Sequence, residues 1–257
     1  MTLSGSTDTT VSAQVSGNRD LPFYDGWPIA PGAGQWRVLL GSCLLGFLLL
    51  YVFGSVFAGP VSQFIPALLF VSLPVGALLW LGRGCLGAVF RPVSLREAML
   101  MPAFALLYLF IAVIVAFIVA SFFDVSVNPA AVMIRQFSPV QFSVFLLRTL
   151  PQLVAEELIS ILPFLAVLTY CVNKLGFTRR QGIAVALLLT ALLFGMLHLP
   201  TYEWNVAQSL LIIGTARVVL TTAYLATGNL WVSSGAHIIG DWCIFFVAYF
   251  GPELPLE

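Results

Sequence analysis

Residues 149–171 read TLPQLVAEELISILPFLAVLTYC, a stretch apolar enough to lie in a membrane although it holds two adjacent carboxylates, Glu156 and Glu157. On insertion scales, one acidic residue at the centre of a membrane helix costs about 2.5–3.5 kcal/mol. Two such residues facing lipid would cost about twice that. The stretch therefore predicts a membrane helix whose acids face the interior of a protein.

The composition of the whole chain excludes an ordinary soluble domain. Of 257 residues, 60% are hydrophobic and 9% are charged, whereas soluble domains carry about 25% charged residues. The formal net charge is zero, and the sequence has no basic patch that would indicate nucleic-acid binding. The four cysteines are scattered without CxxC spacing, which favours buried free thiols over a metal cluster or a disulfide framework.

Hydropathy predicts an all-α, polytopic transmembrane bundle of about seven spans, because a bilayer core needs about 20 apolar residues per helix. Residues 127–147 are ambiguous: they form an interfacial helix, which would be an eighth element, or they lengthen the fourth span. Residues 1–37, rich in Ser, Thr, Gly and Asp, predict a mobile polar tail before a membrane domain over 38–257. The predicted spans are about 38–58, 64–81, 100–122, 149–171, 182–199, 206–226 and 230–250.

The distribution of Lys and Arg predicts the orientation. If the loops alternate through seven spans, eight basic residues fall on the side of the N-terminus and two fall on the other side. The N-terminus is therefore expected in the cytoplasm and the C-terminus outside, in the inner (plasma) membrane of a bacterium. The first set is Arg19, Arg37, Arg83, Arg91, Arg96, Lys174, Arg179 and Arg180, and the second is Arg135 and Arg148.

Few ionisable residues remain inside the spans, and such residues mark active sites, relays or pathways more often than in soluble cores. The structural alternative is that these residues only join helices, because their polar side chains hydrogen-bond to one another. The set is Glu156, Glu157, His198, Arg217, His237 and Asp241.

Spacing along the helices supports the interpretation of these residues as an active site, relay or pathway. Phe194 and His198 are four residues apart and share a helix face, as do His237 and Asp241. The Asp241 carboxylate can then accept from one imidazole nitrogen and leave the other nitrogen for chemistry. The two adjacent glutamates differ by about 100° around their helix, so one can face a reaction centre while the other braces the bundle. Such a set can activate a water molecule.

These motifs resemble the CPBP family, the CAAX prenyl proteases type 2 and bacteriocin-processing enzymes, also called the abortive-infection family. The resemblance rests on Glu-Glu on one span, Phe-x-x-x-His on the next and His-x-x-x-Asn/Asp on a later one. The run ATGNLWVSSGAHIIGDW at 226–242 is similar to the ending of the family's motif. The motif-bearing core covers about 140–250.

The resemblance implies an intramembrane peptidase with assigned roles. Glu156 and His198 would activate water, and His237 and Asp241 would lie at the oxyanion side. No cofactor is expected, although a metal is an alternative in this family: Zn²⁺ would be held by Glu156, His198 and His237. The absence of an HExxH motif argues against a zinc helix.

Two positions depart from the family's pattern. The pattern is Glu-Glu-x-x-x-Arg, but Ile161 stands where the arginine is expected. Asp241 replaces the commoner Asn, and a carboxylate donates to an oxyanion only when protonated. Arg217 is isolated in the middle of its span, as is the carboxylate of Glu157, and pairing would relieve both. We therefore expect Arg217 to reach across helices to Glu157 in place of the lost arginine, with Phe194 as a further supporting residue.

The leading functional hypothesis is an intramembrane endopeptidase whose partners are the lipid bilayer and a peptide or membrane-protein substrate. One alternative is a catalytically weak member that acts as a bacteriocin-immunity or interaction protein. A proton-coupled transporter with a Glu–His relay is a lesser alternative, because the sequence shows no inverted repeat and its acids cluster in the C-terminal half.

Overall fold

The computed structural model describes residues 20–57, 59 and 61–251, and this part of the chain is helical without strands. Seven of its helices are long and apolar enough to cross a membrane. The predicted all-α bundle of seven spans is therefore confirmed, and the chain is a multi-pass membrane protein. The α-helices are α1 Ala33–Val56, α2 Phe64–Leu81, α3 Arg83–Val89, α4 Leu95–Ala120, α5 Pro129–Ile134, α6 Pro139–Asn173, α7 Arg179–Leu197, α8 Gly214–Thr227 and α9 Leu230–Phe250. A 3₁₀ turn, Leu199–Tyr202, follows α7, and a π-helical segment, Gln208–Ile213, precedes α8 within the sixth span.

The fourth span begins ten residues earlier than hydropathy predicted. Ser138 caps α6: its hydroxyl accepts from the backbone N–H of Gln141, whose side chain accepts from the backbone N–H of Ser138. Pro139 occupies the first helical position, where its missing N–H costs nothing. Residues 139–147 of the ambiguous segment thus lengthen the fourth span, and the six-residue α5 precedes it. At 1.5 Å per residue, the 35 residues of α6 extend about 52 Å, well beyond a hydrocarbon core of about 30 Å.

Helix α6 lies at the centre of the bundle. In its most apolar window 67% of the residues are buried, against 17% in α1 and in α4. α2 and α7 pack against α6 around the fully buried Leu158, Leu162 and Leu165. The more exposed helices present large apolar side chains outward, as expected of helices that face lipid.

The segment that precedes α1 packs onto the bundle. Leu21 and Phe23 are buried, Tyr24 accepts a hydrogen bond at its carbonyl from Asn173, and Asp20 pairs with Arg179. Residues 1–19 of the predicted polar tail lie outside the described residues. From residue 20 onward the chain contacts the N-terminal end of α7 and the C-terminal end of α6.

Two glycines allow α4 to approach α9 closely. A Cβ atom at Gly240 would clash with the Tyr108 ring, and one at Gly235 would clash with the side chain of Met101. This close contact brings Tyr108, from the third span, beside the end of the His-x-x-x-Asp motif.

A third glycine lets α7 approach the π-helical segment. A Cβ at Gly195 would lie 2.6 Å from the carbonyl oxygen of Ser209. The side chain of the preceding residue, Gln208, makes two hydrogen bonds to the backbone of Ser126: it accepts from the N–H at 2.8 Å and donates to the carbonyl oxygen at 2.9 Å. The connection between α4 and α5 is thereby fixed against the start of the sixth span.

Candidate active site

Glu157 and Arg217 form a bidentate ion pair inside the bundle. Arg217 Nη1 lies 2.6 Å from Glu157 Oε1, and Nη2 lies 2.8 Å from Oε2. Both side chains are completely buried. The predicted pairing is therefore confirmed, and Ile161, one turn beyond Glu157, is itself buried among apolar side chains. An isolated buried charge is far costlier than a paired one, so each partner holds the other in place.

His237 is oriented by Glu157. Its Nδ1 lies 2.9 Å from Glu157 Oε1, so the ring donates from Nδ1 and leaves Nε2 directed toward the other two acids. Nε2 is 3.9 Å from Glu156 Oε2 and 3.7 Å from Asp241 Oδ2. The expectation that Asp241 fixes the tautomer was wrong, because the buried glutamate on α6 reaches the ring more closely than the residue one turn along α9.

Asp241 has a partner that the motif did not indicate. Its Oδ1 accepts a hydrogen bond of 2.9 Å from the hydroxyl of Tyr108. Tyr108 is buried and reaches this position because Gly240 has no side chain. Asp241 thus links α4 to α9, and its second oxygen faces His237.

Glu156 turns away from the buried ion pair. Its Oε1 accepts a hydrogen bond of 3.0 Å from Gln152 Nε2, one turn earlier on α6, and its side chain retains 15% exposure. The two adjacent glutamates are therefore distinct in environment, as their 100° separation predicted. Glu157 is held in an ion pair, whereas Glu156 is accessible from a cavity.

His198 ends α7 and is oriented by its own helix. Its Nδ1 lies 2.8 Å from the carbonyl oxygen of Phe194, which accepts, so Nε2 carries the free lone pair of the neutral ring. The Phe194 ring contacts this imidazole with centroids 4.5 Å apart. The centre of the same ring lies 5.2 Å from the guanidinium carbon of Arg217. Phe194 therefore contacts both His198 and the arginine of the buried ion pair.

All of these polar groups except Glu157 line one cavity of about 430 Å³. Glu156, His198 and His237 therefore converge as predicted, from three different spans. The lining also includes Asn128, Tyr202 and other residues of the connections that follow α4 and α7. The cavity consequently approaches the end of the bundle opposite to the N-terminal segment. A smaller, mainly apolar pocket of about 180 Å³ adjoins Glu156 and His198 on the side of α1 and α2.

The residues proposed to hold Zn²⁺ are not gathered as a metal site requires. Across the described part of the chain, no three His, Cys, Asp or Glu side chains are grouped so that they could hold a metal ion.

Sequence reasoning missed two residues of the site. Gln152 could have been found, since it lies four residues before Glu156 and shares its helix face. Tyr108 carried no local signal, because it lies 133 positions from its partner Asp241 on a span that is otherwise apolar.

Residues 138–243 match the family described as type II CAAX prenyl endopeptidase Rce1-like. No curated protein and no solved structure matches the chain. The matched segment runs from the cap of α6 to two residues beyond Asp241, and thus contains all three motifs. The family that this segment matches is one of type II CAAX prenyl endopeptidases, and the resemblance to the CPBP family is thereby confirmed over residues 138–243.

Proposed function

We propose that the protein is an intramembrane endopeptidase that hydrolyses a peptide bond in a peptide or membrane-protein substrate. The observation that carries this proposal is the contrast between the two adjacent glutamates. Glu157 is held by Arg217 and in turn orients His237. Glu156 faces the cavity, where His198 and His237 both have an Nε2 atom outside their short hydrogen bonds.

Glu156 is the proposed general base, with His198 as the second group that holds the water. The carboxylate takes a proton from the water as its oxygen bonds to the carbonyl carbon of the substrate. The same proton then passes from Glu156 to the nitrogen of the leaving amine as the C–N bond breaks. The neighbouring Gln152 amide, which donates to Oε1, keeps Oε2 available for the water.

His237 is the proposed oxyanion donor. With Nδ1 donating to Glu157, a protonated Nε2 would donate to the oxygen that becomes negative in the tetrahedral intermediate. Asp241 cannot fill the donor role of an asparagine while it is ionised. Its position 3.7 Å from Nε2 and its bond from Tyr108 suit it instead to stabilise the imidazolium.

The apolar pocket beside Glu156 and His198 suits an apolar flank of the substrate. Phe47 and Tyr51 of α1 and Phe70 of α2 contribute to its walls. Apolar walls with a few convergent polar groups are typical of substrate sites. A membrane-embedded peptide could enter there without first crossing water.

The side of the membrane follows from the charge count. The cavity approaches the end of the bundle that carries 121–138 and 198–207, and the positive-inside bias assigns this end to the outside of a bacterial inner membrane. Reporter fusions to the C-terminus test this orientation: periplasmic phosphatase activity is expected there, and activity of a cytoplasmic reporter would reverse the assignment.

The decisive experiment places the purified protein in lipid nanodiscs with a library of apolar peptides and identifies the products by mass spectrometry. Glu156→Gln should lower kcat/KM by about 10²–10⁴, the usual contribution of a general base. Glu203→Gln changes an exposed carboxylate at the same end of the bundle and should retain the wild-type rate. A cleavage rate in Glu156→Gln close to that of wild type would contradict the mechanism. Absence of wild-type cleavage throughout the library would favour an interaction or immunity protein.

A further inference from the structure

Arg148 is a cation that the proposed mechanism does not use. It lies on α6 at the border between the catalytic cavity and a second pocket of about 190 Å³. Its Nε atom is buried and has no hydrogen-bond partner among the described residues. The guanidinium carbon lies 5.0 Å from the centre of the Phe145 ring, which supports the cation from one side. A buried donor without a partner carries a desolvation cost that a bound anion would relieve.

The second pocket lies at the level where the apolar parts of two spans begin. Arg148 directly precedes the apolar stretch 149–171. At 1.5 Å per residue this stretch is about 34 Å long, close to the thickness of a hydrocarbon core, about 30 Å. Gln63, which also lines the pocket, directly precedes the apolar helix α2. The two helices thus place a cation and an amide at the same boundary of the core, next to the layer that holds the lipid headgroups.

The walls of the pocket combine amide groups with apolar side chains. Gln141 accepts at its Oε1 atom from the backbone N–H of Ser138, so its Nε2 group remains as a donor. Met133 and Gln141 are exposed, and the pocket is therefore open at the surface of the bundle. None of the residues that line it is acidic. Its apolar side chains are Met133, Phe137, Val144 and Phe145.

We propose that this pocket binds the phosphate of an anionic phospholipid, with Arg148 as the cation and the amides of Gln63 and Gln141 as further donors. A guanidinium suits phosphate because its planar donors can bond two oxygens at once. An ammonium headgroup would meet Arg148 without an acidic side chain to receive it, whereas a glycerol headgroup meets amide groups. The apolar walls suit the start of the acyl chains. This inference does not depend on the peptidase function, because its ligand is a component of the membrane.

The test measures binding of dioctanoyl phosphatidylglycerol and dioctanoyl phosphatidylcholine to the purified protein in a neutral detergent, by native mass spectrometry. Wild type should bind the phosphatidylglycerol with a Kd at least about tenfold lower than that of the phosphatidylcholine. Arg148→Gln should weaken phosphatidylglycerol binding by about tenfold or more, as expected for loss of hydrogen bonds from a charged group. Arg148→Lys should retain part of the affinity. Arg135→Gln removes a cation that does not line the pocket and should keep the wild-type Kd.

A change in the wall of the pocket separates a specific site from the effect of charge alone. Val144→Phe keeps Arg148 and adds bulk to the wall, so it should also weaken phosphatidylglycerol binding, while thermal unfolding establishes that each variant is folded. Equal binding of the two lipids by wild type would overturn the inference, as would phosphatidylglycerol affinity that survives both Arg148→Gln and Val144→Phe. Inorganic phosphate distinguishes a free anion from a lipid. If millimolar phosphate displaces the lipid and raises the Tm as much as the lipid does, the site belongs to the free ion and the lipid assignment is wrong.

Discussion

Arg217 donates hydrogen bonds to both carboxylate oxygens of Glu157, which lies sixty positions earlier in the sequence, and both side chains are completely buried. The carboxylate also accepts from His237, so a single buried pair sets the position of a proposed catalytic ring. This arrangement connects the stability of the bundle to the geometry of the site, because loss of either charge would release the imidazole.

A double-mutant cycle tests this relationship. Arg217→Leu and Glu157→Leu should each destabilise the protein by about 3–5 kcal/mol, the usual cost of leaving one buried charge unpaired. The double variant should recover part of the loss, with a coupling of about 1–3 kcal/mol. Reversible unfolding of the purified protein in mixed detergent micelles measures all four free energies. Losses that simply add would mean that the pair contributes no coupling.

Much of the architecture could be predicted from local sequence. Hydropathy identified all seven spans, and the Ser-Pro-x-Gln sequence at 138–141 contains the cap that begins α6, although hydropathy alone placed that start at 149. The pairing of Arg217 with Glu157 followed from physics, since two isolated buried charges in one bundle stabilise each other. The spans and the cap each depend on the sequence of a single segment, and the ion pair depends only on the presence of two opposite charges in one bundle.

What could not be predicted depends on distances between helices. Helical spacing alone made Asp241 the partner of His237, but the packing of α6 against α9 brings Glu157 nearer. Tyr108 reaches Asp241 only because Gly240 allows α4 to approach. The sequence alone does not indicate which side chains of different helices are in contact. The residues that position His237 and Asp241 are therefore evident only in the folded structure.

Tyr108→Phe should impair the site with little effect on the bundle. The substitution removes the hydroxyl that donates to Asp241 and keeps the ring that packs against Gly240. If Asp241 stabilises a protonated His237, kcat should fall by roughly tenfold, less than the 10²–10³ that follows loss of a direct oxyanion donor. KM and the unfolding midpoint should change little. A KM effect without a kcat effect would show that Tyr108 positions substrate instead.

Gly240→Ala provides the matched packing variant. An added Cβ would meet the Tyr108 ring, so α4 and α9 must separate or the ring must rotate. We expect lower stability by about 1–3 kcal/mol, as for other overpacked sites, together with the loss of kcat expected for Tyr108→Phe. Wild-type kcat in this variant would show that the contact between Tyr108 and Asp241 tolerates displacement.

The ion pair between Asp20 and Arg179 predicts a pH dependence at the N-terminal end of the bundle. Partial burial acts to raise the pKa of Asp20, but hydrogen bonds from Arg179, Tyr24 and the backbone of Leu21 outweigh it and lower the pKa from 3.8 to about 2. Because the folded-state pKa is depressed, the stabilisation is fully present above about pH 4 and is lost as the pH falls through about 2. Both side chains are more than one-third exposed, so the contribution should not exceed about 1 kcal/mol.

Asp20→Asn measures that contribution. The variant should unfold slightly earlier than wild type at pH 7, and the difference should become small near pH 2, where about half of the wild-type Asp20 carboxyls are neutral in the folded state. Asp25→Asn, at an exposed position of the same segment, is the control and should match wild type at pH 7. A difference between Asp20→Asn and wild type that is equal at both pH values would assign the effect to packing instead of charge.

Removal of metal ions should leave the proposed peptidase active. Across the described residues, no three His, Cys, Asp or Glu side chains are grouped so that they could hold a metal ion. A water activated by Glu156 and His198 requires only their charge and lone pair, so dialysis against a strong chelator should preserve kcat/KM on the best peptide of the library. Metal analysis of the dialysed protein establishes that removal was complete. Activity that disappears on dialysis and returns with stoichiometric Zn²⁺ would replace the glutamate mechanism by a metal-dependent one, in which the three side chains would have to move together to bind the ion.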